Sequence, residues 1–374
     1  MNFFLSTNII IEIGGANRIT DLIKDLPLGK VGVIYDAIIE DECYFNEILN
    51  KFSSKNDCIF YKNEFIGEPT YGHLENVASY FRKEQPSSII VFGGGSTIDL
   101  AKGVALLNTN SGTALSYRGF PDHVNDPIPV ITVPTLIGSG AEVSYNAVFI
   151  DEKEGRKLGI NCRKNFPKIT IIDPLLSMSA PIEYVVYSAL DSLVHCIDSF
   201  GSIKHTPLSK AFSVQGFQHA YTSLGGDLTD PKTRLGLAVG SVCGTIALMN
   251  SGDGPTNGFA YYFGVKNKIP HGLAGAIFLV EVMRWNYEHG FLDYAYLNTN
   301  KSKMSLDEST EDLMLGLEKI YKKYDLKTIS SYGYKKSEIK KLAADSSKAL
   351  KGSFDGNPIK FNEKSAEEVL NKVI

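Results

Sequence analysis

The chain has 374 residues, 43% apolar and 21% charged, with a formal net charge of −4. That length exceeds what one hydrophobic core usually carries, so two domains are expected. The negative balance argues against a nucleic-acid scaffold, which would show a basic excess. The five cysteines, Cys43, Cys58, Cys162, Cys196 and Cys243, are scattered and form no CxxC pair, which fits a reducing, cytoplasmic setting.

In chain order, "MNFFLSTNIIIEIGG" has no basic region before its apolar residues and reads as a first strand, not a signal peptide. "KVGVIYD" is a near-continuous apolar run, as a strand covered on both faces requires. Asp36 ends it. A carboxylate there could accept from a ribose hydroxyl and would repel a 2′-phosphate, favouring NAD over NADP; a turn aspartate is the equal alternative. "DCIFYKN", "SSIIVFGGG" and "PIPVITVPT" are further strands, and "YGHLENVASYFRKEQ" has helical spacing between them. This alternation predicts a parallel sheet covered by helices.

"SSIIVFGGGSTIDLAKGVA" reads strand, glycine turn, helix. Gly93, Gly94 and Gly95 leave no side chain between backbone and ligand. Ser96 and Asp99 have the spacing of a capping box. Amides at a helix start suit a pyrophosphate, although a tight turn with no ligand reads the same way. The pattern is not G-x-G-x-x-G, and the candidate ribose acid precedes the glycines instead of following them. A second glycine loop, "VPTLIGSGAEVSYNAVF", offers Thr135, Ser139 and Asn146 at the end of another strand.

After "ITIIDPLL" the rhythm becomes helical throughout. The expected architecture is an α/β N-terminal domain with a parallel, Rossmann-like sheet over residues 1–175, and an all-helical C-terminal domain over 176–374. The cleft between them is the default site. "LGLAVGSVCGTIALMNSG" nears the length of a membrane span, but Gly, Ser, Thr and Asn dilute it, so a buried helix is expected and no membrane. The lysine-rich "KKYDLKTISSYGYKKSEIKK" reads as a solvated face.

In "ALDSLVHCID", Asp191 and His195 stand four residues apart, on one helix face. They could be half of a metal site, an acid–base pair, or a buried hydrogen-bonded pair. His271, in "IPHGLAG", is a third candidate ligand. Trp285 and Tyr287, in "VMRWNYEHG", line a pocket or pack a core.

With these stretches placed, the chain resembles the iron-containing alcohol dehydrogenase family. The order Tyr35–Asp36, "GEPT", "GGGSTIDLAK", "VPTLIGSGAEVS", "RKLGI", "IIDP", "ALDSLVH", "IPHGLAGAIFL" and "GNPIKF" runs through nearly the whole chain. The resemblance implies a dehydroquinate synthase-like fold and an NAD(P)-dependent oxidoreductase. Its substrate would be a small alcohol, aldehyde or ketone, polar or sugar-like if Asn257 contacts it. A divalent metal, iron or zinc, and a homo-oligomer such as a dimer are also implied. By similarity Asp36 reads the adenosine ribose, and Gly94, Gly95 and Ser96, with Asp99 in the same motif, form the pyrophosphate loop. Thr135, Leu136, Ser139, Asn146 and Lys157 contact the nicotinamide half, and Asp191, His195 and His271 hold the metal.

One position departs. The family's remaining histidine ligand lies fourteen residues before the last one, and here that residue is Asn257; four residues on stands Tyr261. A metal held by three residues with Asn257 or water, a metal-free site using His271 or His195 with Tyr261, and lost activity all follow from that change. The rival readings are a sugar-phosphate cyclase-type lyase of the same fold and a nucleotide-binding protein without turnover.

Overall fold

The computed structural model describes residues 2–65, 67–299 and 304–374. The chain divides into two compact units. One comprises Leu5–Pro181 with Thr229–Ala238; the other comprises Met1–Phe4, Ile182–Leu228 and Val239–Ile374.

The first unit holds six parallel strands: β1 (Asn8–Ile11), β2 (Val31–Asp36), β3 (Cys58–Asn63), β4 (Ser88–Gly93), β5 (Val130–Pro134) and β8 (Ile169–Ile172). Their order is β1-β8-β5-β4-β2-β3. Every residue of β4, β5 and β8 is buried, which is why these segments are apolar without alternation. From β2 the chain steps outward to β3, then returns to pair β4 on the other side of β2. That reversal opens a crevice at the carboxyl ends of β2 and β4, where Asp36 and Gly93 sit. Helices α1 (Ile19–Leu22), α2 (Cys43–Ser53), α3 (Tyr71–Glu84) and α4 (Gly95–Thr109) belong to the same unit. Helix α4 is buried on every side from Thr97 to Leu107, which explains its lack of a polar face.

Between β5 and β8 lies an antiparallel hairpin, β6 (Asn146–Asp151) and β7 (Arg156–Asn161), outside the main sheet. This hairpin is not among the elements expected from the sequence: "NAVFID" does not alternate in polarity, and only in the fold do alternate residues Ala147, Phe149 and Asp151 become buried.

The second unit is helical: α5 (Ile182–Gly201), α6 (Pro207–Gly225), most of α7 (Pro231–Ser251), α8 (Pro255–Asn267), α9 (His271–Glu288), α10 (Leu306–Lys323), α11 (Ile339–Ala349), α12 (Lys351–Phe354) and α13 (Glu363–Val373). Capping boxes at Thr206, Ser305 and Asn362 set the starts of α6, α10 and α13. Phe259, Phe263, Phe278, Phe354 and Phe361 form its aromatic core. Trp285 joins that core and donates to Glu368, while Tyr287 lies outside and bonds Asp307 and Glu311. For Trp285, then, packing is the reading that holds. Among the described residues no single helix is long and apolar enough to cross a membrane; α7 and α8 pass only together, bent by 104°.

Candidate functional site

In the helical unit, Asp191 and His195 occupy one face of α5, as their spacing predicted. His271 is the first residue of α9. What lets α9 come so close is Gly272: a Cβ there would overlap the Tyr187 carbonyl oxygen and crowd Asp191 Cβ at 3.0 Å. The His-Gly pair therefore delivers an imidazole to the Asp191 carboxylate. His195 Nε2 lies 3.6 Å, and His271 Nε2 3.8 Å, from Asp191 Oδ1. His195 presents Nε2 to this point because its Nδ1 faces Thr245 Oγ1 at 3.4 Å.

Helix α8 brings the fourth group. Its start is fixed by Asp198, whose carboxylate accepts from the Gly254 and Asn257 amides at 3.2 and 2.8 Å. Burial pushes the Asp198 carboxyl up to about 7 even with these bonds. Asn257 is 3% exposed, and its Oδ1 lies 3.0 Å from His271 Nε2. Tyr261, one turn on, sets its ring centroid 4.7 Å from that of His271, with the ring planes tilted by 56°.

Among the described residues no group of three or more His, Cys, Asp or Glu is spaced to hold a metal by itself. The amide of Asn257 supplies the tightest approach in this set. Asp191 Oδ1 is buried and has no hydrogen-bond partner, an expensive state for a carboxylate unless a cation answers it. Ligands bonded at roughly 2 Å to one cation stand about 3 to 3.5 Å apart. The observed separations match or slightly exceed this, and carboxylate, imidazole and amide donors suit zinc or ferrous iron. The residues fit a divalent cation.

In the α/β unit the site is backbone. Gly94 is the N-cap of α4, so the helix starts at Gly95 without a side-chain cap. The expected Ser96–Asp99 capping box does not form, because Ser96 already lies inside the first turn. Asp99 turns into the core instead, accepting from the Val148 amide and pairing with Lys102 at 2.8 Å. Asp36 accepts from the Gly94 amide at 2.8 Å, from Thr97 Oγ1 and from Asn63 Nδ2. Burial raises its carboxyl above the usual range, and these bonds oppose the rise. Asp36 therefore latches the glycine turn. The Gly95 and Ser96 amides are the donors that a helix start leaves without intrahelical partners.

The two glycine loops meet. Thr135 N donates to Gly93 O at 3.0 Å, and a Cβ on Gly95 would lie 2.5 Å from Ser139 Oγ. A Cβ on Gly94 would touch Leu136 at 3.7 Å. So Thr135, Leu136 and Ser139 gather beside Gly94, Gly95 and Ser96. Asn146 starts β6 with Oδ1 buried and unbonded. Lys157 on β7 is held by Glu68 at 2.8 Å, which ties the "GEPT" and "RKLGI" stretches together.

Sequence reasoning missed Lys102. Its ammonium is buried and donates to the carbonyls of Ala141, Ser144 and Asn146. It thereby pins the second glycine loop from below. The signal was present as Asp99 and Lys102 three apart on a helix that is otherwise apolar in this stretch.

Two family models cover the chain: "Iron-containing alcohol dehydrogenase" over residues 6–174, and "Fe-containing alcohol dehydrogenase family, C-terminal" over residues 185–374. Among curated relatives, 1,3-propanediol dehydrogenase of Citrobacter freundii is 28% identical over 304 residues, spanning 78% of this chain and 77% of that protein. The 4-hydroxybutyrate dehydrogenase of Clostridium kluyveri is 27% identical, spanning 82% and 84%. Among solved structures, a 1,3-propanediol oxidoreductase superposes with a TM-score of 0.92 at 21% identity, over 100% of this chain and 99% of that one. The sulfoacetaldehyde reductase from Bifidobacterium kashiwanohense, solved with NAD+, does so at 0.87 and 18%, over 100% and 98%.

Proposed function

Given that this chain belongs to the iron-containing alcohol dehydrogenase family and interconverts an alcohol with an aldehyde or ketone, we propose that it uses NAD and one iron or zinc ion on a small alcohol or aldehyde. The observation that carries the reading is the convergence of Asp191 Oδ1, His195 Nε2, His271 Nε2 and Asn257 Oδ1, with the Asp191 oxygen left unbonded.

Asp191, His195 and His271 would hold the cation. When bound, that cation supplies Lewis-acid stabilisation of charge on the substrate oxygen, and NAD supplies the hydride acceptor. The chain's own groups set the conditions. Asp191 contributes the negative charge that offsets a divalent ion. Thr245 orients the His195 ring. Tyr261, beside His271, is assigned to hold or release a proton at the substrate oxygen. In the α/β unit, the Gly95 and Ser96 amides would receive the pyrophosphate. The Asp36 carboxylate under that loop opposes a 2′-phosphate, which supports NAD over NADP. Thr135, Leu136, Ser139, Asn146 and Lys157 are assigned to the nicotinamide half.

A lyase that grips a substrate phosphate needs free basic groups. Lys157 pairs with Glu68, and Arg284 with Glu281 and Glu318. The free cysteines are consistent with a cytoplasmic setting. Light scattering of the purified chain tests the homo-oligomer. The deciding experiment is substrate-linked absorbance change of reduced nicotinamide across small alcohols, diols and aldehydes, with bound metal quantified in parallel. NAD-dependent turnover with stoichiometric metal supports the reading. Cofactor binding with no turnover and no metal overturns it.

A further inference from the structure

Asn146 opens β6 with its side-chain oxygen buried and unbonded. A buried acceptor without a donor is costly, so a ligand that brings an N–H is favoured there. Two charged residues on α4 act on the backbone beside it. Lys102 is 1% exposed. Its ammonium donates to the Asn146 carbonyl, to the Ala141 carbonyl at 2.9 Å and to the Ser144 carbonyl at 3.3 Å. Three carbonyls turned to one point call for a group with three N–H bonds, which among side chains is the ammonium. Asp99 uses both of its oxygens. Oδ1 lies 2.8 Å from the Lys102 ammonium, and Oδ2 accepts from the Val148 amide at 3.0 Å. The Asn146 carbonyl and the Val148 amide belong to the two peptide groups that flank Ala147. The start of β6 is thus gripped on both sides of one residue, by a cation on its carbonyl and an anion on its amide. Charge-assisted bonds of this kind are the stronger ones, and the opposite charges offset each other's burial.

We infer that Asp99 and Lys102 are positioning residues for hydride transfer, fixing the Asn146 backbone so that its side-chain oxygen receives the carboxamide NH2 of nicotinamide. The inference rests on the proposed assignment of Asn146 to the nicotinamide half. A nicotinamide ring can turn about its bond to the ribose, which exchanges the face offered to the substrate; a fixed acceptor for the carboxamide holds one face. Misplacing the reacting atoms by about 1 Å costs on the order of 100-fold in rate, so the acceptor must itself be held firmly.

The test uses the full chain and compares NAD with two probes: ADP-ribose, which lacks the nicotinamide, and the acetylpyridine analogue of NAD, which lacks the carboxamide NH2. Lys102→Met keeps the length of the side chain and removes the ammonium. Its turnover with NAD falls about 100-fold, while its affinity for ADP-ribose, by calorimetry, stays at the wild-type value. The preference for NAD over the acetylpyridine analogue, in kcat/KM, falls about tenfold, the worth of one hydrogen bond. In an Asn146→Ala background, Lys102→Met costs little further. Asp99→Asn still accepts from the Val148 amide but no longer pairs with the ammonium, and moves the same readouts in the same direction by less. Should Lys102→Met not fold, Asp99→Asn carries the test: turnover and the preference for NAD must fall while ADP-ribose affinity holds. If the variant loses ADP-ribose as much as NAD, or keeps the wild-type preference over the analogue, the inference fails and the NAD reading stands. If the wild type binds neither NAD nor ADP-ribose, the NAD reading fails and takes the inference with it.

Discussion

The two units build their sites from different material. In the helical unit, side chains from α5, α8 and α9 converge and leave one carboxylate oxygen unanswered. In the α/β unit, backbone amides face the crevice, while the charged side chains nearby are spent on holding that backbone. Asp36 latches one glycine turn and Lys102 pins the other. A site made of side chains should fail when a side chain is deleted, and a site made of backbone when a side chain is added.

The largest effect expected from that contrast is in the helical unit. Asp191→Ala removes the only carboxylate of the donor set. Turnover should fall about 1,000-fold or more, because loss of Lewis-acid stabilisation is worth several kcal/mol. Bound metal should drop with it, while NAD affinity by calorimetry stays at the wild-type value. A parallel loss of NAD affinity would mean that the two sites are not separable in this way.

Next is a stability effect under the second glycine loop. Glu142 is 1% exposed, with Oε1 unbonded, and burial raises its carboxyl to about 7. Below about 4.5 both folded and unfolded chains keep the proton, and Glu142 adds no pH dependence. Between about 4.5 and about 7 the unfolded chain releases it and the folded chain does not, so stability falls as pH rises. Glu142→Gln should remove that decline, a difference of about 3 kcal/mol at most by pH 8. Denaturant unfolding at pH 5 and pH 8 reads it. A wild-type stability that does not fall across this window would place the charge of Glu142 elsewhere.

Smaller again is the added side chain. Gly95→Ala puts a methyl 2.5 Å from Ser139 Oγ and 3.1 Å from its Cβ. One loop must yield, and overpacking of this kind costs about 1–3 kcal/mol. NAD affinity should weaken about tenfold with metal content unchanged, the converse of Asp191→Ala. An unaltered dissociation constant would remove the pyrophosphate from this turn.

The contrast also explains what could be read in the sequence. The strands of the sheet and Asp191 with His195 were legible because each rests on local periodicity: a buried strand is apolar throughout, and residues four apart share a helix face. Contacts between segments far apart in sequence were not legible from spacing. Nothing local to "GGGSTIDLAK" says that Asp99 turns inward to Lys102 and Val148, or that Gly94 caps the helix in place of Ser96. Nor does "SGDGPTNG" reveal Asp198 holding the Gly254 and Asn257 backbone amides. These depend on the close approach of elements at Gly95, Gly254 and Gly272, where the informative feature is the absence of a Cβ.

The smallest effect probes how far the side-chain site depends on groups that never touch the ligand. Thr245 Oγ1 meets His195 Nδ1 at 3.4 Å, a long bond. If it accepts the Nδ1 proton, it fixes the tautomer that leaves the Nε2 lone pair toward Asp191. Thr245→Val keeps the volume and removes the acceptor. Outer-shell losses at metal sites cost about 10–100-fold in affinity, and a bond this long belongs at or below the low end. Thr245→Val should therefore weaken Co2+ binding about threefold to tenfold, and Thr245→Ser should not. NAD affinity should be untouched by either. Equal effects from Val and Ser would assign Thr245 to packing, and the orientation of His195 would then come from the α5 backbone alone.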